Sequence, residues 1–169
     1  MDKSQSFWEK ELSGLQDLKD DEVQAAVESL LKDEPGARNV LLNGLQRRVY
    51  EAASGYETEK IPRMDVFQEG NVALIEFIDS FSGAAGSFLN DAMQAVRSAM
   101  QRFVSSEEVS FATADALKTK LNVIDEITVR IAEETGKEPT AKEIADLLKT
   151  DEEEIKYLLG IALNAIQEP

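Results

Sequence analysis

The 169-residue chain contains no cysteine and no histidine. The first absence excludes disulfides and thiolate chemistry. The second removes the commonest general base and the commonest metal ligand. Only 4 prolines and 9 glycines interrupt the chain, so long stretches are free to be helical. No apolar run approaches the ~18 residues of a membrane span. The polar, mixed-charge start, Met1 to Leu12, lacks the pattern of a secretory signal. No loop has the Asp/Asn-plus-Gly spacing of a calcium site, and no glycine-rich phosphate loop occurs. Glu133 and Glu134 are adjacent, and adjacent residues on a helix do not face each other. No enzyme, no cofactor and no metal site is expected, and the expected location is cytoplasmic.

What the chain does have is acid. Its 33 Asp and Glu against 18 Lys and Arg give a net charge of −15. Such a chain repels phosphate backbones at long range, so free nucleic acid is a poor partner. A basic protein surface is a better one, although acidity also serves solubility alone. A 43% hydrophobic share is enough for a packed core. The expected fold class is all-α.

Apolar residues recur at helical spacing in several segments. Ser4–Leu18 reads as a first helix, with Phe7, Trp8, Leu12, Leu15 and Leu18. Asp20–Leu31 reads as a second, opened by three acids that suit a helix N-terminus. Pro35-Gly36 breaks the chain before a third, Ala37–Ser54. Met64–Phe81 and Phe88–Val104 follow. Ser105 to Phe111 is polar and predicts weak structure. Three shorter helices are expected beyond it, over Leu117–Glu134, from Thr140 to Leu148, and from Thr150 to Ile166. Gly136 suits a C-cap, and Thr140/Glu143 and Thr150/Glu153 have capping-box spacing. The last two helices have the spacing of a helix-turn-helix. The expected organisation is a helical domain over 1–104, a linker over 105–116 and a three-helix domain over 117–169.

Met64–Phe81 is the most informative segment. Wound at about 100° per residue, it collects Val66, Phe67, Gly70, Ala73, Leu74, Phe77, Ile78 and Phe81 on one side. Asp65, Gln68, Glu69, Glu76 and Asp79 lie opposite, with Val72 and Ile75 among them. Exposed aliphatics ringed by carboxylates suggest a binding patch. Scattered exposed aliphatics are also ordinary, so both readings stand on this helix alone.

The run Asp65-x-x-Gln68-Glu69-Gly70-Asn71, its aliphatic continuation and its Asp79-x-Phe81 ending resemble region 2 of the bacterial sigma-70 family. So does the lead-in, Asp33 to Leu42 and Val49 to Tyr56, and so do Phe88, Ala92, Val96-Arg97 and Ala99. Glu133 to Thr140, Glu143-Ile144-Ala145 and Leu148 resemble the family's region 3. The resemblance runs roughly from Ala37 to Ala162. It implies a region 2-like helical bundle followed by a small three-helix, helix-turn-helix-like region 3 domain. It also implies docking of RNA polymerase core, through a basic coiled coil on the largest subunit, onto Asp65, Gln68, Glu69, Asn71 and Ile75. Promoter DNA is then a partner only within the holoenzyme, and an anti-sigma factor is a further candidate. No membrane partner is implied.

The chain also departs from the family. Where a typical sigma factor carries DNA-opening aromatics, the matching positions are Asp91, Gln94 and Ala95. None can stack on an unpaired base. Arg97 and Arg102 are kept, and Ser98 and Gln101 stand where the family reads the promoter's upstream edge. These four are the candidate DNA contacts. Residues 105–169 hold 15 acids and 7 bases, a difference of −8. The last helix opens Asp151-Glu-Glu-Glu154, which argues against major-groove reading and for a scaffold or protein interface. The family's fourth region has no counterpart before Pro169, as expected of a fragment or of a naturally short protein. Two functions follow: an initiation factor that binds polymerase core and directs promoter recognition, or a sigma-derived regulatory module that no longer acts on DNA.

Overall fold

The structure, a computed structural model, describes residues 17–167. Among them are six α-helices, a short 3₁₀ turn and no strand: α1 (Asp20–Leu30), α2 (Ala37–Ala53), α3 (Arg63–Ser80), the 3₁₀ turn (Ala85–Ser87), α4 (Phe88–Thr135), α5 (Ala141–Leu148) and α6 (Glu152–Gln167). The fold class is all-α, as the periodicity predicts. The helix predicted over Ser4–Leu18 lies outside the described residues, except for Asp17 and Leu18, which are not helical. The chain divides into two compact units that part between Glu108 and Val109.

In the first unit, the apolar faces of α1 to α4 supply the core. Val23 and Val27 come from α1, and Leu41, Leu45 and Val49 from α2. Val66, Leu74 and Ile78 come from α3, and Phe88, Val96 and Met100 from α4. Leu31, expected as the last residue of α1, instead caps it and is 44% exposed. The predicted break at Pro35-Gly36 has a backbone cause. Gly36 caps α2 with φ +88°, a conformation that a side chain penalises.

In the second unit, Ile124 from α4, Ile144 and Ala145 from α5, and Ile155 and Leu158 from α6 form one buried cluster. Leu117, Leu121, Ile127 and Leu148 pack against it. Three helical segments thus converge, but the first is not a separate helix. Residues 105–116, expected as a linker with weak structure over Ser105 to Phe111, are helical, and α4 runs through them to Thr135. Neither glycine nor proline occurs between Gly86 and Gly136, so nothing breaks the backbone ladder there. The hydroxyls of Thr113 and Thr119 bond back to the carbonyls of Val109 and Asp115, at 2.8 and 2.9 Å. Their polarity is therefore absorbed within the helix.

The caps decide where the last helices stop and start. Gly136 follows α4 at φ +70° and donates its N–H to the Ala132 carbonyl. Thr140 and Glu143 form the predicted capping box on α5, with Thr140 N–H to Glu143 at 2.8 Å. This bond and the Thr140 hydroxyl hold the Glu143 carboxyl below its ordinary pKa. The second predicted cap is displaced by one residue. The Asp151 carboxylate, not Thr150, accepts the Glu153 N–H, at 2.7 Å. Thr150 donates its hydroxyl to Glu154 instead, at 2.6 Å. Aspartate is a better N-cap than threonine, so the position beside the predicted one is used. Thr140→Ala is expected to cost about 1 kcal/mol of second-unit stability. Urea denaturation followed by amide signals of that unit measures this, and an unchanged midpoint would show that the box contributes nothing.

Candidate docking face

Helix α3 presents its polar side as the pattern predicts. Asp65, Gln68, Val72, Ile75, Glu76 and Asp79 are exposed. Val72 and Ile75 are 50% and 38% exposed. Val66, Phe67, Gly70, Leu74 and Ile78 are buried on the other side. At a rise of about 1.5 Å per residue, the stripe from Asp65 to Asp79 is about 21 Å long.

The five docking candidates do not sit equally on this stripe. Asp65, Gln68 and Ile75 are exposed within it. Glu69 and Asn71 are half-buried and flank it. Asn71 lies about 100° round the helix from Val72, at the margin. Asp65, Glu69 and Glu76 have no ion pair among the described residues. Three free carboxylates around two aliphatics can receive Lys or Arg side chains while a partner's apolar group covers Val72 and Ile75.

Asp79 is different. Arg38 at the start of α2 grips it with Nε and Nη2, at 2.5 and 2.9 Å. The hydrogen bond from Arg38 holds the Asp79 carboxyl below its ordinary pKa. Both groups are exposed, which makes the pair weak in itself, but it ties α2 to the end of the stripe. Sequence pattern does not reveal this pairing. The two residues are 41 positions apart, on different helices.

The rigid placement of α3 comes from a glycine. Gly70 is buried, and a Cβ built there would lie 2.2 Å from Met100 Cε and 2.9 Å from Val49 Cγ1. Its lack of a side chain lets α3 lie close against α2 and α4. At the end of α3, Phe77 and Phe81 pack against Phe88, the first residue of α4. Arg63 starts α3 and stacks over the Tyr50 ring at 3.7 Å. It also donates two hydrogen bonds to the Tyr50 carbonyl.

The four DNA-contact candidates share one side of α4. Arg97, Ser98, Gln101 and Arg102 are all exposed. Among the described residues, the Gln101 side chain makes only a long bond to Ser105 Oγ, at 3.4 Å. Gln94 is exposed on the same side, while Asp91 and Ala95 are half-buried. The face can form polar and ionic contacts, but it presents no aromatic ring. Among the described residues no group of carboxylates could hold a metal ion. No described helix is long and apolar enough to cross a membrane.

Comparison with known proteins bears on both units. Residues 119–166 match the family described as Sigma-70 region 3. Over 151 residues, 89% of the chain, the sequence is 28% identical to the RNA polymerase sigma factor SigA of a Bacillus species. The chain spans 39% of the length of that relative.

Proposed function

We propose that the chain is a sigma-70-like factor, similar to that family over 119–166 and to a sigma factor over 151 residues, and that it acts in transcription by docking RNA polymerase core on the exposed stripe of α3. The observation that carries this is the stripe itself: Asp65, Glu69 and Glu76 around Val72 and Ile75, on a helix fixed by Gly70. A basic coiled coil, the partner that the resemblance implies, complements it in charge and in shape. In a holoenzyme, Arg97, Ser98, Gln101 and Arg102 would then face promoter DNA. There the core's positive charge would offset the repulsion that the isolated chain exerts.

A second reading is favoured by Asp91, Gln94 and Ala95, which leave α4 without a stacking platform. Under it the chain occupies polymerase, or binds a sigma or anti-sigma factor, and opens no promoter. Co-purification with core enzyme tests the docking claim common to a polymerase-binding factor of either kind. Glu69→Lys is expected to weaken core binding about thirtyfold, because one attraction becomes a repulsion in a partly desolvated contact. Equal retention of wild type and Glu69→Lys would remove the stripe from the docking surface. Run-off transcription with core and a candidate promoter separates the two readings: a specific transcript excludes the second.

A further inference from the structure

The second unit contains a cavity that the docking proposal does not use. It has a volume of about 370 Å³ and lies between α4 and the turn that joins α5 to α6. Its apolar walls are Val123 and Ile124 from α4, Leu148 from α5, and Ile155 and Leu158 from α6. Ile124, Ile155 and Leu158 are buried, and Val123 is 37% exposed at the opening. A volume of this size is within the range of small-molecule sites.

The polar groups around it have one sign to spare. The Glu154 carboxylate takes a hydrogen bond from Lys120 Nζ at 2.5 Å and another from the Thr150 hydroxyl at 2.6 Å. Lys120 and Glu154 therefore satisfy each other. Lys149 also lines the cavity, and it makes no ion pair among the described residues. Its backbone is left-handed, at φ +54°, which an ordinary side chain adopts at a cost. Glycine would serve that turn better, so the lysine is not there for the backbone.

We propose that this cavity binds an aliphatic monocarboxylate, its chain among Ile124, Leu148, Ile155 and Leu158 and its carboxylate on the Lys149 ammonium. The uncompensated ammonium sets the sign of the guest. The acidic excess of the surrounding sequence disfavours a guest with more than one negative charge.

Titration of the full chain with decanoate, and with decanol as the uncharged chain of the same length, tests this. The readout is the methyl signals of Ile124, Leu148 and Ile155. Saturable binding of decanoate is expected, about tenfold tighter than that of decanol. Lys149→Gly removes the cation while relieving the backbone, so the fold is retained, and it should erase the difference between the two probes. Lys149→Arg should restore it. Val123→Trp, at the opening, should block both probes, with the helical circular dichroism signal unchanged. No saturable shift with decanoate, equal affinity for the two probes, or unchanged decanoate binding in Lys149→Gly would each overturn the proposal.

Discussion

Phe88→Ala is expected to remove about 4 kcal/mol from the first unit and lower its thermal midpoint by roughly 20 °C. Phe88 is fully buried. Its ring meets Phe81 edge-on at 4.9 Å and Phe77 at 5.5 Å. Phe77 and Phe81 are themselves 5.5 Å apart, so three rings form one cluster. Each edge-to-face contact adds roughly 0.5–1.5 kcal/mol to the burial of the ring itself. The cluster joins the end of α3 to the start of α4 across the loop between them. Its loss releases the first turns of α4, which position Gln94, Arg97 and Ser98. Thermal unfolding followed by the unit's methyl signals measures the effect. A loss below about 1 kcal/mol would show that the ring cluster does not pin the helix junction. Phe88→Leu keeps most of the volume and should cost far less.

Gly70→Val should destabilise the same unit by about 3 kcal/mol and abolish core binding, although it replaces none of the five docking candidates. The new Cβ would overlap Met100 Cε, at 2.2 Å, and crowd Val49 Cγ1, at 2.9 Å. The methionine tip can swing aside. Val49 cannot, because a β-branched side chain in a helix has one favoured rotamer. Two further methyl groups have no space, so α3 must shift against α2. Gly70→Ala is the informative control. It gains up to about 1 kcal/mol of helix propensity and collides less. Its single Cβ still meets Met100 and Val49, so it should lose stability and core binding, but less of both than Gly70→Val. Urea denaturation with a parallel core pull-down measures both variants. Wild-type stability in Gly70→Val would mean that the close approach at this glycine is not structural.

Much of this was legible in the chain because amphipathic spacing survives without tertiary information. The two sides of α3 could be assigned from residue identity alone, and both are found where the pattern puts them. Thr140 and Gly136 could be assigned because a cap needs a particular residue within one turn. The continuity of α4 was hidden by composition. Residues 105–116 carry serine, threonine and acid in place of a stripe of large apolar residues, so no hydrophobic period marks them. The missing breakers were the available signal. The cap on α6 was misplaced because Thr150 and Asp151 both meet the residue preference for a cap, and only geometry separates them. The grip of Arg38 on Asp79 and the close packing at Gly70 depend on which helices meet, which spacing along one helix does not encode.

The grip of Arg38 has a kinetic consequence. A basic partner of the proposed kind would be drawn by the field of the stripe before any contact forms, and salt would weaken that pull. Counted from the sequence, four carboxylates would steer the approach: Asp65, Glu69, Glu76 and Asp79. One of them already has its counter-charge, 2.5 Å away, supplied by its own chain. Under the proposed docking, the approaching surface feels three: Asp65 and Glu69 in the first half of α3 and Glu76 one turn before Asp79. If the stripe docks a basic partner as proposed, the first unit would bias the orientation of arrival as well as its strength: Asp65, Glu69 and Glu76 would draw positive charge along the stripe, and Asp79 would add little.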